Sequence, residues 1–294
     1  MLILAPNYQL ILVSVLFLGL GSAVFHPEGS RVSFMAAGNK RGLAQSIYQV
    51  GGNSGQALAP LISAFLILPF GMYGASVVLI LTAIGIFMLT KIAIWYRKQL
   101  EEEKLSKVKK VLVSSLPPLT KKQVGIALSL LLVIIFARSF YVTNITNFYV
   151  FYLIQEYGLT IEKGQLLIFL FMACGVVGTF FGGSLSDRIG RKNVILISVV
   201  VPIPLCLALP YVPLWLVVIL LIVIGSLIMI SFSVTVVYAQ ELVPTKIGTM
   251  AGLTVGLAFG MGAIGSVLIG ILMDKIGIET TMMIISALPI LMLV

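Results

Sequence analysis

Gly182-Gly183-Ser184-Leu185-Ser186-Asp187-Arg188-Ile189-Gly190-Arg191-Lys192 is a short charged stretch set between two long apolar runs. A water-soluble protein has little reason to place Asp187, Arg188, Arg191 and Lys192 between segments that are each long enough to cross a bilayer. Gly183 and Gly190 let two helices approach and turn tightly. Asp187, Arg188 and Arg191 are then placed to tie the loop to helix ends as a conformational latch.

The composition agrees with a membrane reading. Of 294 residues 60% are hydrophobic and only 10% are charged, with a mean hydropathy of +1.14. Soluble domains carry roughly 25% charged residues. The net charge of +9 does not point to nucleic acid, because the cations are gathered in loops. Arg97, Lys98, Lys104, Lys107, Lys109, Lys110, Lys121 and Lys122 share one stretch between apolar segments, as the positive-inside rule requires of a cytoplasmic loop. No aromatic-interleaved basic surface is present to stack bases. Cys174 and Cys206 fall inside apolar segments and read as small core residues rather than a disulfide or metal pair. No cleavable signal peptide is evident.

Runs of about 20 apolar residues, the length a spanning helix needs, lie near 8–30, 43–70, 73–96, 123–153, 164–185, 193–212, 214–240, 248–272 and 279–294. With the basic loop at 97–122 inside, the turns carrying Lys40, Arg41, Arg188, Arg191, Lys192 and Lys246 fall on the same side. The opposite connections contribute only Lys163 and Lys275. The loop, with Pro117-Pro118, reads as a solvated spacer. The amino terminus is expected outside.

The pattern Gly183-x-x-x-Asp187-Arg188-x-Gly190-Arg191-Lys192 resembles the cytoplasmic loop signature of the major facilitator superfamily of secondary transporters. That resemblance implies an all-α polytopic membrane protein of two six-helix halves, each built of inverted three-helix repeats. Fitted to that plan, the chain holds about nine of twelve transmembrane helices. Residues 1–96 are the remainder of the amino-terminal half (family helices four to six), 97–122 the cytoplasmic central loop, and 123–294 the carboxy-terminal six-helix half. The first three helices have no counterpart; a natural nine-span protein is the alternative. Gly270-x-x-x-Asp274-Lys275-x-Gly277 echoes the signature three spans later, the spacing an inverted repeat requires.

His26 is the sole histidine, and it clusters with Glu28 and Arg31 near the end of a span. Ionisable groups at membrane depth are functional hypotheses by default. Two readings are open for this cluster: proton pick-up and release, or an interfacial set of charges that fastens helix to loop. Arg138 lies well inside an apolar helix, where a guanidinium must face a cavity, a carboxylate or water. Tyr141, Asn144 and Asn147 on the same helix are candidates to complete a site with it. The other reading of Arg138 is structural. Gly51, Gly52 and Gly55 lie on one predicted helix. Gly252, Gly256 and Gly260, spaced by four, predict a face for close helix contact. No metal-ligand cluster, nucleotide loop or nucleophile–base pair stands out, so no enzyme and no cofactor are expected.

His26-Pro27-Glu28-x-Ser30-Arg31-Val32, Lys40-Arg-Gly-Leu-Ala-Gln45-Ser46 and Gln49-Val-Gly-Gly-Asn53 together resemble bacterial fosmidomycin resistance proteins. So do Phe151-Tyr-Leu-Ile-Gln155, Val237-Tyr-Ala-Gln-Glu241-Leu242 and Gly256-Leu-Ala-Phe-Gly-Met-Gly262. The resemblance implies a proton-driven drug exporter of the bacterial inner membrane, with membrane lipid, protons and a small anionic or amphiphilic drug as its partners. It makes Arg138 a candidate contact for a phosphonate, since a guanidinium binds oxyanions bidentately. Glu241 becomes a symmetric mate of Glu28, as a second proton carrier or as part of a cytoplasmic gate. Two alternatives stand beside this: transport of another small organic anion, or a membrane fragment that does not transport. The substrate cavity of this superfamily lies between the halves, and an open wall would leave its polar lining against lipid. The 294-residue chain alone is therefore expected not to transport.

Overall fold

The computed structural model describes residues 7–62, 66, 68–105 and 120–293, so residues 106–119 of the expected central loop lie outside the described residues. The described residues form helices and connecting turns. The longer helices are α1 (Tyr8–Ala36), α2 (Arg41–Ile62), α3 (Val77–Leu105), α4 (Lys121–Tyr157), α5 (Ile161–Ile189), α6 (Arg191–Val200), α7 (Pro202–Ala208), α8 (Leu214–Leu242), α9 (Ile247–Ile276) and α10 (Ile278–Ala287). α6 and α7 together make one apolar span that ends at Tyr211. Among the described residues, seven helices are long and apolar enough to cross a membrane. They match seven of the nine apolar runs. The run near 279–294 becomes the shorter helix α10 with a 3-10 extension over Leu288–Leu293. The run near 43–70 becomes α2, which is long enough but too polar to be counted with them.

The chain divides into two compact units. The smaller comprises Met1–Ser22 and Leu61–Val113. Its apolar helix α3 has no buried residue between Val78 and Glu102, and Leu79, Ile80, Ile86, Phe87 and Met88 are all exposed. A row of this kind is stable against hydrocarbon and not against water. The exposed Arg97–Glu101 pair at 3.0 Å adds little to stability.

The larger unit comprises Ala23–Pro60 and Ser114–Val294. Its core joins Tyr141, Ile145, Tyr149 and Leu153 of α4 to Ile168 and Phe171 of α5, and to Leu221, Ile224 and Ile228 of α8. α5 and α8 pack backbone to backbone. A Cβ at Gly178 would meet the carbonyl of Ser226, and one at Gly182 the carbonyl of Ile230. Gly178 and Gly182 are spaced by four, the small-residue stripe that brings membrane helices close. The stripe expected at Gly252, Gly256 and Gly260 does not do this. Gly252 meets Pro27, whereas a Cβ at Gly256 or Gly260 would have no described atom within 4 Å. α9 meets α4 further round its circumference instead, where Gly262 faces Thr143 and Gly265 faces Phe140. Gly51, Gly52 and Gly55 likewise make no close approach.

The sequence echo has a structural counterpart. Gly190 (φ 90°) joins α5 to α6, and Gly277 (φ 84°) joins α9 to α10. Each is a single-residue turn with its N–H given back to the preceding helix, to Ser186 O and Met273 O respectively. That backbone conformation is essentially open only to glycine.

Gln45, Ser46, Gln49 and Asn53 of α2 are all buried within the larger unit. Polar side chains of membrane helices face the bundle interior, where they find partners. Pro27 lies inside α1, where its missing N–H leaves the carbonyl of Ala23 without a ladder partner.

Candidate functional site

Two polar places stand out in the larger unit, a latch where α2 begins and a cavity further along the same helix. At the latch the first backbone N–H groups of α2 have no partner within their own helix, as in any α-helix. Asp187, near the end of α5, supplies one. Its Oδ1 accepts from Gly42 N at 3.1 Å and its Oδ2 from Leu43 N at 3.0 Å. A carboxylate at a helix N-terminus also answers the positive end of the helix dipole. Arg191 then holds Asp187 at 2.6 Å and reaches Glu241 of α8 at 3.3 Å. Arg41 lies 3.8 Å from Glu241 and stacks over Phe34 at 4.6 Å. Two carboxylates and two guanidiniums thus balance in a largely buried quartet, which is how charges persist out of water.

Close backbone approach makes the latch geometrically possible. A Cβ at Gly183 would run into the carbonyl of Gly42 and the hydroxyl of Ser46. Ser46 and Ser233 share a hydrogen bond at 3.0 Å. Ser30 donates to Gln45 Oε1 and accepts from Gln240 Nε2, both at 3.1 Å, so α1, α2 and α8 are also tied together here. Of the latch candidates, Gly183, Asp187 and Arg191 converge on α2, and Gly190 makes the turn that places Arg191. Arg188 is exposed and outside the quartet.

The cavity measures about 120 Å³, smaller than the sites that enclose drug-sized ligands. α2 contributes Asn53 and Gln56; α4 contributes Arg138, Ser139, Val142, Thr143 and Thr146; Phe171, Phe232 and Phe259 add aromatic wall. Arg138 is 3% exposed. Its Nη1 donates to Ser231 Oγ at 3.4 Å and Thr235 Oγ1 at 3.5 Å, and its guanidinium lies 4.8 Å from the centre of the Phe232 ring. Among the described residues no carboxylate pairs with it.

Tyr141, Asn144 and Asn147 do not line this cavity. An α-helix turns about 100° per residue, so the five cavity residues of α4 span an arc of about 140° from Arg138, and these three lie between about 180° and 300°. Tyr141 is buried in the core cluster. Asn144 donates to Phe140 O of its own helix at 2.6 Å, and Asn147 donates to Ser266 of α9 at 3.0 Å. The residues of α4 that do line the cavity beside Arg138 fall at i+1, i+4, i+5 and i+8.

His26 sits near the cavity wall. Its ring lies 5.5 Å from that of Phe259, and Nδ1 is 3.4 Å from the hydroxyl of Tyr48. Glu28 lies 4.0 Å from Arg31, both about half exposed, while Glu241 is part of the latch quartet. The three proton-coupling candidates therefore occupy three different settings.

A set of membrane-length helices with a buried charged quartet, and a buried cation that meets no described carboxylate in a cavity, has the makings of a membrane transporter. The chain belongs to the major facilitator superfamily: the sequence profile described as Major Facilitator Superfamily matches residues 1–255. It is 52% identical over 289 residues to the uncharacterized MFS-type transporter YfnC of Bacillus subtilis (strain 168), covering 98% of this chain and 70% of that protein. It is 41% identical over 291 residues to the fosmidomycin resistance protein of Escherichia coli (strain K12), covering 99% of this chain and 71% of that protein. The protein is thus a multi-pass membrane transporter and not an enzyme.

Proposed function

We propose that the protein exports small anionic drugs of the fosmidomycin kind across the bacterial inner membrane, by alternating access and driven by protons. The observation that carries the reading is Arg138, a buried guanidinium facing a cavity with no described carboxylate to neutralise it. A phosphonate or carboxylate entering that cavity becomes its counter-ion through charge-assisted, bidentate hydrogen bonds. The identity to the fosmidomycin resistance protein supports the choice of drug.

On this reading residues 1–96 correspond to the fourth to sixth family helices and 123–294 to the seventh to twelfth, with 97–122 as the central loop. Arg41, Arg188, Arg191, Lys192 and Lys246 assign the latch end to the cytoplasm. The arrangement described above is then the state in which the cytoplasmic end is fastened. Among His26, Glu28 and Glu241, Glu241 is the group whose protonation acts on the latch, because a neutral carboxyl no longer holds Arg191 and Arg41. Transport of another organic anion is the second reading. It is favoured by the greater identity to YfnC, whose name specifies no substrate.

The test is fosmidomycin susceptibility of a sensitive bacterium lacking its own exporter. It expresses this chain or a version extended to the length of the relatives, at matched membrane levels. Resistance is expected with the extended version, and it should be lost from that version with Arg138→Ala. Sensitivity with both versions inserted would discard fosmidomycin and leave the family.

A further inference from the structure

The cavity and the latch share one helix face. Gly42, Ser46, Gln49, Asn53 and Gln56 follow one another at steps of four, three, four and three, which keeps them on one stripe of α2. α5 runs antiparallel beside that stripe. Asp187 caps Gly42 and Leu43, Gly183 abuts Gly42 and Ser46, and Thr179 meets Asn53, whose Nδ2 donates to Thr179 Oγ1 at 3.2 Å. Asn53 is the one residue of this seam that bonds across to α5 and also lines the cavity.

We propose that Asn53 is the positioning residue through which an occupied cavity opens the seam: an anion held by Arg138 draws the Asn53 amide away from Thr179. The inference rests on the export reading for the identity of its ligand. Thr179 is fully buried and gives its own proton to Gly175 O at 2.9 Å or Met229 O at 3.2 Å, so its remaining capacity is as the acceptor that Asn53 uses. The amide N–H of Asn53 is a donor of the kind an oxyanion recruits. The planar amide carries two N–H groups at a fixed angle, so turning it toward an anion at Arg138 swings the first N–H off Thr179, whose bond at 3.2 Å is already at the long end of the range. Beyond Asn53 the seam is sparsely bonded, since Gln45 Nε2 and Gln49 Nε2 are buried with no partner among the described residues. Releasing its cavity end therefore removes one of few cross-links between α2 and α5.

Thr179 does not line the cavity, so it tests the coupling without altering the ligand's contacts. The experiment uses the full chain in inside-out vesicles, with Cys174→Ala and Cys206→Ala removing the native thiols. Gln49→Cys, smaller than the residue it replaces, reports seam opening by its rate of reaction with an impermeant maleimide. Fosmidomycin is expected to raise that rate in the parent. Thr179→Val is expected to raise it about fivefold without ligand, the factor for one lost hydrogen bond, and to abolish the further response while fosmidomycin binding by equilibrium dialysis is unchanged. Thr179→Ser, which keeps the hydroxyl, is expected to behave as the parent. A Thr179→Val protein that labels like the parent and still responds to fosmidomycin overturns the proposal. So does loss of binding in Thr179→Val, which would make Thr179 part of the site's scaffold. A parent that ignores fosmidomycin, beside a Thr179→Val protein that still labels faster, removes the drug assignment but supports Asn53–Thr179 as the closing bond.

Discussion

Arg191 and Arg138 are both guanidiniums folded into the larger helical unit, and they differ in what answers their charge. Arg191 has Asp187 at 2.6 Å and Glu241 at 3.3 Å. Arg138, more deeply buried, has two hydroxyls at 3.4 and 3.5 Å and an aromatic face. A compensated cation is explained by the architecture it holds together. One that meets no described carboxylate has its desolvation only partly offset by two long hydrogen bonds and a ring face, and it is therefore the better candidate for meeting a charged ligand.

That contrast predicts opposite consequences for the same substitution. Arg191→Ala removes the cation that holds Asp187 at 2.6 Å and one of the two guanidiniums facing the buried Glu241, and breaking a buried pair costs on the order of 3 kcal/mol. Its thermal unfolding in detergent is expected to shift sharply downward. Arg138→Ala strands nothing, so its unfolding temperature is expected to hold. Fosmidomycin binding should weaken roughly tenfold to a hundredfold, the range for losing hydrogen bonds to a charged group. If Arg138→Ala unfolds as readily as Arg191→Ala and binds normally, the distinction between the two cations is wrong.

How much of this was legible in the sequence depended on the range of the interaction. Continuous apolar length revealed the spans, because a bilayer imposes that length residue by residue. Depth in an apolar run revealed Arg138. Tyr141, Asn144 and Asn147 do not line the cavity beside it because they advance by three, and three residues fall about 60° short of a full turn, so the stripe winds off the cavity face. Val142 and Thr146 were as visible in the sequence, on the phase that i+4 stepping from Arg138 selects, with Ser139 and Thr143 one residue further round. Asp187 announced a link to a helix end, but its partners are the backbone N–H groups of Gly42 and Leu43. Backbone donors carry no side-chain signature, so which helix Asp187 caps follows only from tertiary packing. α2 was the hardest element to weigh, since the polar residues that lower its hydropathy are those it buries.

The latch and the free glycine faces offer a comparison of intermediate size. Gly183→Ala forces a methyl group against the carbonyl of Gly42 and the hydroxyl of Ser46. α2 must move away from Asp187, at a cost of about 1–3 kcal/mol. Gly256→Ala meets no described atom within 4 Å and gains helix propensity, with up to about 1 kcal/mol in its favour. Thermal unfolding of the pair should therefore move in opposite directions. Equal destabilisation would mean that the Gly256 face is covered in the folded state, and that close approach is not special to the latch.

The smallest effect separates a seam built to stay shut from one built to open. Gln49 is 4% exposed and its Nε2 has no hydrogen-bond partner among the described residues. A buried donor left unmade costs about 1–3 kcal/mol, and that cost is carried only while the seam is closed, because opening admits water to it. Gln49→Leu keeps most of the volume and removes the donor. The closed arrangement should gain about 1 kcal/mol, seen as a modest rise in unfolding temperature together with slower efflux. The quartet at the latch predicts no such combination, since weakening it lowers stability while easing opening. A fall in stability for Gln49→Leu would show that the amide is satisfied after all, through an internal water of the kind that bridges buried polar groups. The stripe on α2 would then be a fixed joint, and among the described contacts release would fall to Glu241 with its guanidiniums and to the Asp187 cap.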